Sequence, residues 1–137
     1  MFAMLDKKFS RELLKRSLEI IDDESKWVQG PMAIDDDGNN TGPLAPNACA
    51  WCCAGAMELA FAQLTDWNAD NDEFEAYLDA RSVLRSEIED FTDGLFGSDI
   101  GDFNDSDSTN YGDVIEVLGN AVEAIKTIEY ALSLIHI

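Results

Sequence analysis

Apolar residues recur at three- and four-residue spacing over most of the chain, and that period predicts helices. From Ser10 to Asp22, Phe9, Leu13, Leu14, Leu18 and Ile21 share one side. Arg11, Glu12, Lys15, Arg16 and Glu19 take the others, the pattern of an amphipathic surface helix. Residues 43–62, PLAPNACAWCCAGAMELAFA, behave differently. Cys49, Cys52, Cys53, Ala56, Met57, Ala60 and Phe61 form a stripe of small and apolar side chains, Ala50, Trp51, Ala54 and Leu59 make the other faces apolar too, and Glu58 is the single charge. A helix apolar nearly all round is buried on several sides. Asn47 is its expected N-cap, with Pro46 discouraging helix before it.

A third helix is predicted from Asp72 to about Phe91, with Phe74, Tyr77, Leu78, Leu84, Ile88 and Phe91 as the apolar stripe and Asp72, Glu75, Asp79, Glu87 and Asp90 as an acidic one. Thr109 is the expected cap of a last helix carrying Val114, Leu118, Ala121, Val122, Ile125, Ile128 and Leu132 on one face. Between the first two helices, KWVQGPMAI reads as strand up to the turn DDDGNN, where Gly38 and the asparagines tolerate positive φ, and a hairpin returns through Thr41 to Leu44. Residues 65–71 are a connection. Residues 94–109, rich in glycine, serine and aspartate, are expected to be a loop and binding rim, with a short strand at Ile100–Phe103. The fold expected is α+β and mostly helical: about four helices around a central buried helix, with a small β-hairpin or short sheet near Trp27 and Phe103.

Composition bounds this picture. A chain of 137 residues, 46% hydrophobic, fits one domain over 1–137 with a sizeable core. No apolar run is long enough to span a bilayer, and Met1–Leu5, followed at once by Asp6, is too short for a signal-peptide core, so the cytoplasm of a bacterial host is the expected compartment. Residues 132–137, LSLIHI, resemble translated adaptor read-through at the ends of metagenomic reading frames. On that reading His136 has no biological meaning.

Charge alters the picture most. Nine basic against 28 acidic residues give a net charge of −19. Residues 1–26 cancel internally, six against six, so the segment from Trp27 onward, with three basic and 22 acidic residues, carries the whole excess. Such a field repels nucleic acid and anionic membranes and attracts basic proteins. Neither direct nucleic-acid binding nor membrane association is therefore expected.

Two constellations bear on chemistry. Cys49-x-x-Cys52 has the spacing of a redox pair or half a zinc site, but a structural zinc site needs four ligands and a cysteine nucleophile needs a base, and the single histidine is His136. The three cysteines therefore read first as small buried hydrophobes in the reduced state, and no cofactor is expected. Asp105, Asp107, Thr109, Tyr111, Asp113 and Glu116 follow a calcium-loop spacing, yet Asn110 stands where the sharp turn requires glycine. A solvated turn with a helix cap is the expected role.

Trp27, Gln29, Gly30, Asp37, Gly38, Pro46, Ala48, Trp51, Cys52, Gly55, Ala56, Phe103, Asn104, Asp105, Val114 and Leu118 carry a resemblance to a family of small uncharacterised domains of phages and bacteria. It spans about residues 10–125 and rests on W-x-Q-G, W-C-x-x-G-A and N-D signatures. The resemblance implies a shared fold and no assigned activity. The acidic helix lies outside these signatures.

The function expected is therefore a non-enzymatic acidic binding protein whose partner is a basic host protein. In its most specific form it is a phage-encoded anti-defence inhibitor, a nucleic-acid mimic that occludes a basic surface of a host nucleic-acid-handling protein such as a CRISPR effector. The binding residues expected are Asp72, Glu73, Glu75, Asp79, Glu87, Glu89 and Asp90 on the helix, with Asp99, Asp102, Asp105 and Asp107 as a second patch. The alternative is a small thiol-dependent enzyme or redox protein using Cys49, Cys52 or Cys53.

Overall fold

A computed structural model describes residues 2–97 and 99–135, with side chains from Lys7 onward. Five helices and three short strands follow the order α1 (Phe2–Ile20), β1 (Ala33–Asp35), β2 (Asn40–Thr41), β3 (Ala48–Trp51), α2 (Cys53–Leu64), α3 (Asn71–Thr92), α4 (Ile100–Asp105) and α5 (Tyr111–Ile135). A single 3-10 turn at Glu24–Lys26, capped by Asp23, links α1 to the sheet. The mostly helical α+β class is as expected. Leu132–Ile135 of the suspect tail continue α5, whereas His136 and Ile137 lie outside the described residues.

The core is built by most of the stripes read from the sequence, but on α3 only Tyr77, Leu84 and Ile88 of the expected stripe are buried, joined by Ala76 and Ala80, while Phe74, Leu78 and Phe91 are exposed. Leu13 and Leu14 of α1, Met57 and Ala60 of α2, Leu84 and Ile88 of α3, Phe103 of α4 and Val114, Leu118 and Ile125 of α5 are all buried in one cluster. Helix α1 is more enclosed than its surface pattern predicts, because it packs against α2, α3 and α5 together. The sequence carries that in Ser10 and Ser17, both fully buried. Small side chains let neighbouring helices approach, and each hydroxyl is satisfied: Ser10 Oγ donates to Ala76 O at 2.7 Å and Ser17 Oγ to Leu13 O at 2.9 Å. On the rim of the same face, Arg11 donates Nε to Glu129 Oε1 at 2.5 Å and Nη2 to Oε2 at 3.2 Å, a two-pronged pair joining α1 to α5.

The hairpin forms as the turn residues dictate. Ala33 pairs with Thr41 and Ile34 with Asn40, antiparallel, and Gly38 supplies φ 81° in the turn. The carboxylate of Asp35 accepts from the backbone N–H of both Asp37 and Asn39, so it is spent on the turn.

Helix α1 begins at Phe2 and not near Ser10, and of the strand expected over 26–34 only Ala33–Asp35 and the isolated bridge of Trp27 to Trp51 form. Two further segments depart from the sequence reading. The central helix does not begin at Asn47: Ala48–Trp51 is the strand β3, paired with β1 in the order β2-β1-β3, and α2 starts at Cys53. A short apolar run satisfies either period, and here an open edge of β1 decides for strand. Ile34 faces Ala50 and Asp35 faces Ala48, which leaves Cys49 as the extra residue of a β-bulge. The second of these is Ile100–Phe103, which lies in helix α4 and not in a strand; the sheet is bridged through Trp51 to Trp27, whose indole bonds Asn104, the residue after Phe103. Asp99 caps this helix by accepting from Asp102 N at 2.8 Å. Accordingly 94–109 is only partly loop, with Ile100, Phe103 and Asn104 buried. The last helix is capped by Asn110, one residue past Thr109: Asn110 Oδ1 accepts from Asp113 N while Asp113 Oδ2 accepts from Asn110 N.

Candidate functional site

Helix α3 presents most of the expected acidic residues, and its own chemistry fixes where it begins. Asp70 and Glu73 form a capping box, Glu73 N donating to Asp70 Oδ1 at 2.8 Å and Asp70 N to Glu73 Oε1 at 3.0 Å. Glu73 is thus occupied in holding the helix start. At about 100° per residue, Asp72, Glu75, Asp79 and Asp90 fall within an arc of about 60°, with Glu89 about 40° outside it. Glu73 and Glu87 fall outside it. Within the arc Asp79 is paired to Lys7 of α1, while Asp72, Glu75 and Asp90 are exposed. Glu87 is half-buried, and its carboxyl is pushed above the ordinary range by desolvation and secondarily by Asp90.

The second acidic patch divides. Asp99 and Asp102 lie at the start of α4, just after the end of α3, and both are exposed. Asp105 is at its other end, where Oδ1 accepts from Gly30 N at 2.8 Å and from Asn104 Nδ2 at 2.9 Å. Asp107 sits in the exposed turn beyond it. The residues of the calcium-like spacing serve other ends too: Thr109 is buried, Tyr111 donates its hydroxyl to Ile21 O at 2.6 Å, and Asp113 caps α5. Among the described residues no group of three or more His, Cys, Asp or Glu is placed to hold a metal ion.

The cysteines are separated by the strand-to-helix transition. Cys49, in the bulge, is exposed. Cys52 is buried and caps α2, its sulfur accepting from Gly55 N at 3.3 Å and lying 3.7 Å from the Met32 sulfur. Cys53 is fully enclosed, and burial pushes its thiol up to about 12. The Cys52 thiol is raised by burial as well, and that of Cys49 by desolvation and by the Asp36 carboxylate. A thiolate nucleophile needs the opposite shift. Native protein is expected to expose one thiol to Ellman's reagent, slowly, and unfolded protein all three. Rapid labelling of Cys52 or Cys53 in the native state would contradict this burial.

What the sequence reading missed is a hub of polar contacts centred on Asn104, which is 1% exposed. Its Oδ1 accepts from Trp27 Nε1 at 2.7 Å and from Cys53 N at 3.0 Å, and its Nδ2 donates to Val28 O at 3.1 Å and to Asp105. Gln29 Nε2 reaches the carbonyls of Asn104 at 3.0 Å and Ser106 at 2.8 Å. Segment 27–30, the start of α2 and the end of α4 are thereby tied at one point. Trp27, Gln29, Gly30, Cys52, Gly55, Asn104 and Asp105 all belong to the set on which the family resemblance rests, and they meet here. The signal available in the sequence was the concentration of tryptophan and amide side chains at Trp27, Gln29 and Asn104.

No helix among the described residues is long and apolar enough to cross a membrane. No curated protein and no solved structure matches this chain. One family model matches residues 9–124, most of the chain, and the protein therefore belongs to that family, the family of unknown function DUF6197.

Proposed function

We propose that this protein is a non-enzymatic binding protein whose acidic surface occupies a basic surface on a partner protein. The observation that carries the reading is how the positive charge is spent. Of nine basic residues, Lys7, Arg11, Lys15, Arg16, Lys26 and Lys126 are paired with carboxylates of the same chain, four of them on α1. The outer arc of α3 and the start of α4 are left with Asp72, Glu75, Asp90, Asp99 and Asp102, for which no ion pair forms among the described residues. Carboxylates repeated along a helix imitate a phosphate array, and a basic groove that binds nucleic acid attracts them by the same charge complementarity. In its specific form the reading is a phage-encoded inhibitor that blocks a host nucleic-acid-handling protein involved in defence.

Affinity capture from bacterial lysate over a salt series tests this. Basic, nucleic-acid-binding proteins are expected, released as salt rises and displaced by duplex DNA. The triple variant Asp72→Lys, Glu75→Lys, Asp90→Lys, all at exposed positions, is expected to bind the captured partner about tenfold more weakly or worse. Undiminished capture by that variant, or capture insensitive to salt, would refute the reading.

A further inference from the structure

We infer that the corner between α3 and α4, at Phe91 and Leu95, is the apolar anchor point of the acidic surface, and that it takes a lysine- or arginine-rich segment of a partner protein carrying a large apolar side chain. The inference rests on the proposed binding function and says where on that surface contact is made. The corner is a shaped turn: Asp93 and Gly94 adopt φ 53° and 78°, and Gly97 φ 58°. Phe96 turns inward, its ring 6.2 Å from that of Phe103. Leu95 between them projects outward at 71% exposure, and Phe91, 6.2 Å from Phe103 on its inner side, remains 37% exposed. The core uses Phe96 and one edge of Phe91; it does not use Leu95.

Charge selects the occupant. No lysine or arginine occurs from Ser86 to Ile125, a stretch with 11 acidic residues, and α4 packs on α3 and on α2, whose only charge is Glu58. The carboxylates nearest in the chain to Leu95 are Asp90, Asp93 and Asp99. An uncharged apolar partner would desolvate these groups without compensation, and an acidic one would be repelled. A basic segment without an apolar residue would leave Leu95 in water. The exposed Phe74 and Leu78 offer no such uniform field, because Arg81 and Arg85 fall beside them on the same face of α3.

The test uses two synthetic peptides of equal positive charge, one of lysine and leucine and one of lysine and serine, titrated into the full chain at about 0.15 M and about 0.5 M NaCl. Both are expected to bind at the lower salt, the leucine peptide at least about tenfold tighter, and only the leucine peptide at the higher. Leu95→Ser is expected to reduce the leucine peptide to the level of the serine peptide without changing the latter, and Trp67→Ser, before the N-terminus of α3, to change neither. Equal binding of the two peptides, no effect of Leu95→Ser, or a loss on Trp67→Ser instead would overturn the anchor while leaving the acidic-surface reading intact. Failure of both peptides to bind would overturn the two together.

Discussion

Replacing Asn104 with alanine is expected to lower the unfolding free energy by about 3–5 kcal/mol, because Trp27 Nε1, Cys53 N and Val28 O lose their partner together and each orphaned buried group costs about 1–3 kcal/mol. That is a large share of the roughly 5–15 kcal/mol that holds a domain together. Urea unfolding followed by tryptophan fluorescence gives the number directly. A loss under about 1 kcal/mol would mean that water substitutes for the amide and that the hub is not a structural tie. Asn104→Asp separates the two halves of the amide. It keeps the acceptor for Trp27 and Cys53 but, when ionised, sets a carboxylate against Val28 O and the Asp105 carboxylate. Burial and Asp105 both raise the pKa of such a group in the folded state. A raised folded pKa gives stability that is present below the unfolded value and lost as pH rises. Relative to wild type at the same pH, this variant is therefore expected to be less impaired near pH ~4 than near pH ~7.

Gly55→Ala is expected to destabilise by about 3 kcal/mol or more, at the upper end of overpacking costs, although alanine is the better helix former. A Cβ at position 55 would lie 2.2 Å from Met32 O, a backbone atom that cannot swing aside. That carbonyl also accepts from Cys52 N at 3.1 Å, so moving it breaks the junction of segment 27–32 with the start of α2. Thermal unfolding of Gly55→Ala beside Gly119→Ala is the measurement. Gly119 lies in the interior of α5 with open space where its Cβ would go, and there the substitution is expected to be neutral or stabilising. Similar melting points for the two variants would show that segment 27–32 yields easily.

These two substitutions act on opposite sides of one junction, and they explain what the glycine and asparagine of the resemblance do in this chain. Gly55 makes room for the Met32 carbonyl, and Asn104 satisfies the groups gathered around it. The acidic arc of α3 stands apart from that junction. Loss of binding on charge reversal, with stability retained, would separate the surface from the scaffold that carries it.

Much of this protein was determined by its sequence alone. The helices α1, α3 and α5 were legible because each pattern extends over several turns, long enough for helical period to exclude the alternative, although on α3 the buried face runs through Ala76 and Ala80 and leaves Phe74, Leu78 and Phe91 exposed. The hairpin turn was legible at Asp35–Gly38, and so was the exposure of Asp72, Glu75 and Asp90, since no core accepts a carboxylate without a partner. The tertiary structure decided the short segments. Ala48–Trp51 became strand because β1 offers an edge, which no local pattern records, and Ile100–Asp105 became helix because Phe103 and Asn104 find a place in the core there. It also decided which carboxylates are spent. Asp79 pairs with Lys7 and Asp105 with Gly30 across 72 and 75 residues of chain, and contacts at that separation have no signature in a single sequence.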